Sequence, residues 1–302
     1  MRNDGKLGNL VGKRAGRRFS QAAAIVGVML HGTAATAGAS SFVENFEFLD
    51  TSRWYVSDGW NNGDWHGCTW SRNNVLVSGG VLRLTLDTQA SGDRQYSCGE
   101  IQTRSFYGHG TYEVRMRALA EKGTVSAFFT YTGPVHKNPC DEIDIEIIGK
   151  SPGSLQANYF VDCKGGNEKI ISLGFDSSAS MNNYAFVWAS DALRWYIDGR
   201  LVHEVTSASG PLPTTDGKIY MSLWNGRGAN MESWLGKFMP SSFAMHMEID
   251  RVSYTAPGAP CQFPESIVCA MGTEPVSPPP PAETSPEPIR SKPGNNRGGR
   301  KK

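Results

Sequence analysis

The stretch Asp141 to Lys150 reads DEIDIEIIGK, and its reading decides the fold. Glu142, Asp144 and Glu146 alternate strictly with Ile143, Ile145 and Ile147. A β-strand therefore sets three carboxyls on one face and three isoleucines on the other. The bland form of this pattern is a half-buried strand with a solvated outer face. Its other form is an acidic cleft. Three like charges at two-residue spacing repel, more strongly between apolar walls than in open water, so some of them should hold a proton near neutral pH.

Working outward, Phe128, Phe129 and Tyr131 lie just upstream, Asn158 and Tyr159 just downstream, and Trp224 and Trp234 follow later. Rings and amides of this kind suit stacking on sugars and hydrogen-bonding to them. A carboxylate beside a carboxylic acid is the equipment for cleaving a glycosidic bond: one group attacks or stabilises the sugar and the other protonates the leaving oxygen.

Runs of β character recur on both sides. The spacing predicts strands at Phe42–Phe48, Asn74–Val77, Val81–Asp87, Gly99–Arg104, Gly110–Arg117 and Val125–Tyr131 before the acidic strand. After it come Ser154–Asp162, Ile170–Leu173, Tyr184–Ser190, Ala192–Ile197, Arg200–Val205, Lys218–Trp224 and Ala244–Tyr254. Asp198-Gly199 between two such runs is a strong hairpin cue. The Trp-, Asn-, Gly- and Asp-rich stretch from Trp54 to Trp70 reads as a loop suited to ligand binding. No long segment keeps helical spacing and no repeat period emerges, so the class is all-β, a sandwich of many antiparallel strands.

The 302 residues divide unevenly. Residues 1–39 pair a basic start with an apolar run from Ala22 to Leu30 and small residues at Ala35-Thr36-Ala37 and Ala37-Gly38-Ala39, the pattern of a secretory signal peptide. Secreted or periplasmic localisation is expected, with no transmembrane segment, since the apolar run is too short to span a bilayer. Residues 271–302 form a proline-rich, basic tail without an apolar face, expected to be disordered. A leader at +5 and a tail at +3, within a whole-chain charge of +1, leave about −7 on residues 40–270. That acidic body argues against nucleic acid as a partner.

The six cysteines of an exported chain read as disulfides rather than a metal site. Cys68 with Cys98 and Cys261 with Cys269 are the favoured pairs. Cys140 and Cys163 remain, and their indices sum to an odd number. A register that puts Asn158 on the face of Glu142 has an even sum, so a third bridge requires a bulge or loop.

Glu-Ile-Asp-Ile-Glu at 142–146 resembles the signature of glycoside hydrolase family 16. GTYEVR at 110–115 and FFTYTGP at 128–134 are similar to its bacterial lichenase branch. The likeness extends over most of Phe42 to Tyr254. The stretch SDGWNNG at 57–63 and Cys261-Gln262-Phe263 look nearest to rhizobial endo-β-1,3-1,4-glycanases that trim the exopolysaccharide succinoglycan.

The resemblance implies a β-jelly-roll with a concave substrate cleft and a retaining double displacement. Glu142 would be the nucleophile, Glu146 the acid/base, and Asp144 the residue steering the proton between them. It also implies glucan contacts at Asn62, Glu100, Phe129, Tyr131, Asn158, Glu168 and Trp224, and it matches Cys68–Cys98 to a family bridge. The chemistry needs no cofactor. A structural calcium is implied at Asp250 with the carbonyls of Asn45 and Gly80. The expected partner is a β-linked polysaccharide and the expected state a monomer. Two departures stand out: Cys140 where lichenases carry tryptophan, and Gln102 where they carry arginine. Competing readings are a lectin-like module on the same fold and a transglycosylase.

Overall fold

A computed structural model of the chain describes residues 39–239 and 245–272. Nearly all of the expected signal peptide and nearly all of the expected tail lie outside the described residues. The acidic stretch forms strand Asp141–Ile148, with Ile143, Ile145 and Ile147 at 0% exposure beneath it. Burying each of those side chains is worth about 1.5–3 kcal/mol. This burial fixes which face the acids take.

Numbered in chain order, the strands are β1 (Phe42–Glu44), β2 (Trp54–Val56), β3 (Cys68–Trp70), β4 (Val75–Ser78), β5 (Val81–Asp87), β6 (Tyr96–Thr103), β7 (Gly110–Arg117) and β8 (Thr124–Thr132). They continue as β9 (Asp141–Ile148), β10 (Ser154–Val161), β11 (Lys169–Ser172), β12 (Asn182–Trp188), β13 (Ala192–Ile197), β14 (Arg200–Thr206), β15 (Lys218–Asn225) and β16 (Met245–Thr255). One layer runs β2-β6-β15-β8-β9-β10-β11 and is antiparallel throughout. The other runs β4-β5-β16-β7-β12-β13-β14, with β1 on the far part of β16. Strand β6 belongs to both, since its first half pairs with β5 and its second with β15. The apolar faces meet between the layers, where Phe128 of β8 lies 5.8 Å from Phe186 of β12. Trp195 of β13 reaches across to donate its indole N–H to the Asp144 carbonyl at 3.0 Å. This is the all-β jelly-roll sandwich that the sequence leads one to expect.

Several local expectations are corrected. The stretch Trp54–Trp70 is not all loop: β2 and β3 lie at its ends, and Trp54 and Trp70 are core residues at 1% exposure. Strand β1 stops at Glu44 instead of reaching Phe48, because Phe46 turns to a positive φ of 53° and Glu44 accepts from its N–H. Two short helices escape the periodicity, α1 (Ala229–Leu235) and α2 (Ile267–Gly272). The Asp198-Gly199 cue holds, with both residues at positive φ between the paired Ile197 and Arg200.

All three cysteine pairs are bridged, Cys68–Cys98, Cys140–Cys163 and Cys261–Cys269. For the second, the even register is kept, Glu142 facing Phe160 and Asp144 facing Asn158. A two-residue turn at Asp162-Cys163, both left-handed, then swings Cys163 back so that its N–H donates to the Cys140 carbonyl at 2.8 Å. The loop that parity demands is this turn.

Candidate active site

Cross-strand register assembles the site. One row across the concave layer reads Gln102, Tyr220, Phe129, Asp144, Asn158, and the next reads Glu100, Ser222, Ala127, Glu146, Gln156. A third places Lys218, Tyr131, Glu142 and Phe160 side by side. Neighbouring strands lie about 4.8 Å apart, so each row lays a ribbon of contacts perpendicular to the chain. Together with the loop at 60–65 and helix α1 they bound a cleft of about 1380 Å³. Glu142, Asp144, Glu146, Asn62, Glu100, Phe129, Tyr131, Asn158, Glu168 and Trp224 all line it.

The acids sit in a setting that disfavours charge. Burial, followed by the negative charge of Glu146, pushes Glu142 up to about 8, while a hydrogen bond from Asp144 pulls it down. Burial and the two flanking glutamates drive Asp144 well above the usual carboxylate range. Asp144 therefore keeps its proton and donates it to Glu142, which stabilises the Glu142 anion. Burial raises Glu146 to about 7 against the hydrogen bond that Gln156 Nε2 donates to its Oε2 at 2.8 Å. Glu100 is also buried, accepts from Ser57 Oγ at 2.6 Å, and is pushed up to about 8.

The walls are aromatic. Tyr220 stacks on Phe129 at 4.9 Å, and Trp224 meets Trp65 edge-on at 5.1 Å and Trp234 at 6.1 Å. Trp234 also donates to Gln156 Oε1 at 3.1 Å, which orients the amide toward Glu146. Asn62 accepts from the indole of buried Trp70 at 3.1 Å.

Reading the sequence missed several cleft residues. Gln156 stands two residues before Asn158 and shares its face; that alternation was the available signal. Tyr220 alternates with Trp224 in the same way on β15. Arg94 gave no signal, yet its buried guanidinium holds the 60s loop. Its Nε donates to the His66 carbonyl at 2.8 Å, and its Nη2 donates to Asn61 Oδ1 at 3.1 Å and to the Gly63 carbonyl at 2.9 Å.

On the other layer, Asp250 occupies a bulge of β16 between the pairs Ile249–Met116 and Arg251–Arg115. Its Oδ2 accepts from Arg115 Nη1 at 2.6 Å, while its Oδ1 is buried with no partner among the described residues. A Cβ added to Gly80 would meet the Asn45 carbonyl at 3.8 Å, so those two main-chain segments adjoin. A spare buried carboxylate oxygen is a donor of the kind calcium takes, with the other oxygen of the same carboxylate already paired to Arg115. A second cluster, His66 with Cys68 and Cys98, offers no thiolate because the two sulfurs are bonded to each other.

Residues 62–242 match the family described as glycosyl hydrolases family 16. The chain is 44% identical over 231 residues to the endo-1,3-1,4-beta-glycanase ExoK of Rhizobium meliloti (strain 1021), covering 76% of this chain and 84% of that one. A beta-glucanase of Bacillus subtilis (strain 168) is 42% identical over 224 residues, 74% of this chain and 89% of its own length. The solved Bacillus licheniformis beta-glucanase has a TM-score of 0.67 at 41% identity, covering 72% of this chain and 99% of that one. With a matched family region, curated relatives of this similarity and a carboxyl-lined cleft on the concave layer, the chain belongs to glycosyl hydrolases family 16 and is a glycoside hydrolase.

Proposed function

We propose that this protein is a secreted endo-acting β-glycanase that hydrolyses a glucose-containing, β-1,3-1,4-linked exopolysaccharide by a retaining double displacement. The observation that carries the reading is the trio on β9, whose members share one face of an aromatic-walled cleft and are all pushed toward the protonated form. A module that only bound sugar would gain nothing from acids that resist joint ionisation.

In the first step Glu142 attacks the anomeric carbon as Glu146 gives its proton to the departing oxygen, leaving a glycosyl ester on Glu142 and a free chain end. In the second, water attacks the same carbon, Glu146 takes its proton, and the ester bond to Glu142 breaks. Asp144 holds a proton beside Glu142 throughout. The Cα atoms of Glu142 and Glu146 lie roughly 13 Å apart along a strand, whereas retention requires carboxyls about 5 to 5.5 Å apart. The side chains must converge, and the charge of Glu146 is felt at Glu142.

Substrate choice rests on the relatives' names and on two departures. Cys140, where the resemblance expects a tryptophan platform, is tied to Cys163, and Gln102 replaces an arginine. Both move the preference away from cereal-type mixed-linkage glucan and toward a bacterial exopolysaccharide. Export agrees with three disulfides and the leader pattern, and no helix among the described residues is long and apolar enough to cross a membrane. A monomer is expected, and a calcium held by Asp250 with Asn45 and Gly80 would be structural.

The test is Glu142→Gln, assayed on β-1,3, β-1,4, mixed-linkage and succinoglycan polymers. Release of reducing ends should fall by a factor of at least about 10³ while polymer binding persists. Turnover equal to that of the unaltered enzyme would remove Glu142 as the nucleophile, and binding without release of reducing ends by either protein would favour the lectin-like reading.

A further inference from the structure

Glu100 and Tyr220 line the cleft, whereas Ser57, Gln102, His136 and Lys218 do not, yet hydrogen bonds join all six. Ser57, Glu100, Gln102 and Tyr220 are buried. Buried polar groups are costly unless paired, and a satisfied network holds its members in one arrangement.

Lys218 fixes the direction of the bonds. Its ammonium can only donate, and Nζ lies 3.2 Å from Gln102 Oε1, so the amide oxygen faces Lys218 and Nε2 faces away. The same oxygen accepts from the Tyr220 hydroxyl at 3.2 Å, which uses the one phenolic hydrogen. His136 Nε2, 3.3 Å from the Tyr220 oxygen, must therefore be the donor of that contact. In the neutral ring Nδ1 then carries no hydrogen, so no N–H is stranded at this atom, which is buried without a partner among the described residues. On the other side Gln102 Nε2 donates to Ser57 Oγ at 3.4 Å, and Ser57 Oγ donates to Glu100 Oε1 at 2.6 Å. Donation thus runs one way, from His136 through Tyr220, Gln102 and Ser57 to Glu100.

The relay meets the cleft at two points. The ring of Tyr220 stacks on Phe129 at 4.9 Å, and Glu100, with Oε1 engaged by Ser57, keeps Oε2 for a sugar hydroxyl. Gln102 is the link that makes the relay possible. The arginine that the resemblance expects there has donors and no acceptor, so neither Lys218 nor Tyr220 could donate to it. We propose that Ser57, Gln102 and His136 are positioning residues: their one-way relay holds Glu100 and Tyr220 in the arrangement that binds a sugar, and takes no part in breaking the glycosidic bond. The inference rests on the proposed β-glycanase reading and deepens it. A network that only satisfied buried groups would change stability when cut and leave sugar binding alone.

The experiment joins steady-state kinetics on mixed-linkage β-glucan with isotope-edited NMR of the full-length protein, which reads the tautomer of His136. The unaltered protein should show the Nε2–H tautomer once the ring is neutral. Gln102→Leu cuts the relay on both sides: KM should rise about tenfold with kcat within about twofold. Tyr220 then turns its hydrogen to His136, whose tautomer should shift toward Nδ1–H. Gln102→Glu keeps an acceptor for Lys218 and Tyr220 but no donor for Ser57, so KM should rise while His136 keeps its tautomer. His136→Leu should raise KM by about threefold, and His136→Gln, which offers an amide N–H in place of Nε2–H, should recover most of that loss. The Nδ1–H tautomer in the unaltered protein, an unchanged KM in the Gln102 variants, or a fall in kcat as large as the rise in KM overturns the inference. Should Gln102→Leu fail to fold, Gln102→Glu and the tautomer of the unaltered protein decide it. Failure of the unaltered protein to release reducing ends from any polymer would instead overturn the β-glycanase reading, and the tautomer is read without turnover, so the two can fail independently.

Discussion

Glu146 is held between two influences that act in opposite directions. Burial pushes it toward the acid form, and the amide of Gln156 stabilises its anion. The working cluster has one member of the Glu142–Glu146 pair ionised and the other protonated, so kcat/KM should trace a bell against pH. Its optimum should lie in the neutral range, well above the ordinary carboxylate range, because burial raises both groups. Replacing Gln156 with Met removes the donor that favours the Glu146 anion. The proton is then retained to higher pH; because burial and their mutual repulsion raise both glutamates into one range, the limb that Glu146 sets should move up by about one pH unit and the other limb should follow by less. Kinetics of the Gln156→Met enzyme across pH decide it; a limb that stays put or moves down would show that Glu146 is not the acid.

Strand β9 was legible from its own residues because strict alternation leaves one way to bury three isoleucines. The Asp198-Gly199 hairpin was equally plain, since the turn demands positive φ at both residues. Strands β2 and β3 were not legible: three residues carry no period, and their tryptophans sit among turn formers. Arg94 was invisible for another reason, since apart from the adjacent Asp93 its partners are carbonyls and an amide of a distant loop. Bulges are hidden in the same way, because an inserted residue shows only against its partner strand. The bulge at Asp250 leaves Oδ1 buried and without a partner among the described residues, the oxygen to which the proposed calcium would bind. Saturating calcium should raise the unfolding temperature by on the order of 5 °C relative to chelator. Asp250→Ala should erase that increment in scanning calorimetry. An increment that persists in the variant would move the ion elsewhere, and none in either protein would remove it.

Across the whole molecule, the two layers meet through β6 and bury carboxyls from both. Glu100 and Glu146 face the cleft; Glu113, on β7, accepts from Ser266 Oγ and the Ile267 N–H where the segment closed by Cys261–Cys269 docks. Burial raises all three above their ordinary values, Glu100 to about 8 and Glu146 to about 7. Glu248 runs the other way, lowered by hydrogen bonds from Arg83 and Arg117 despite partial burial. For a carboxyl whose folded value exceeds its unfolded one, the folded state binds the proton more tightly. The stabilisation is complete below the unfolded value, near 4.5, and is lost as pH rises through the folded value. Glu248 contributes in the opposite sense, losing its share as pH falls below its unfolded value. Glu248 and the exposed acids lowered with it titrate below this window, and His66, lowered by burial to about 3, opposes the decline only up to its ordinary value of 6.5; the raised, buried carboxyls outnumber it, so the unfolding temperature should decline between about pH 5 and 8. Glu100→Gln keeps a group able to accept from Ser57 and cannot ionise. A tenfold difference in proton affinity between the folded and unfolded chains corresponds to about 1.4 kcal/mol, so the variant should lose less stability than the parent over this interval, by on the order of 3 kcal/mol. Denaturant titrations of the two proteins at about pH 5 and pH 8 measure that difference. Parallel losses in both would mean that Glu100 titrates alike in the folded and unfolded chains, and that the alkaline weakness comes from the other buried acids.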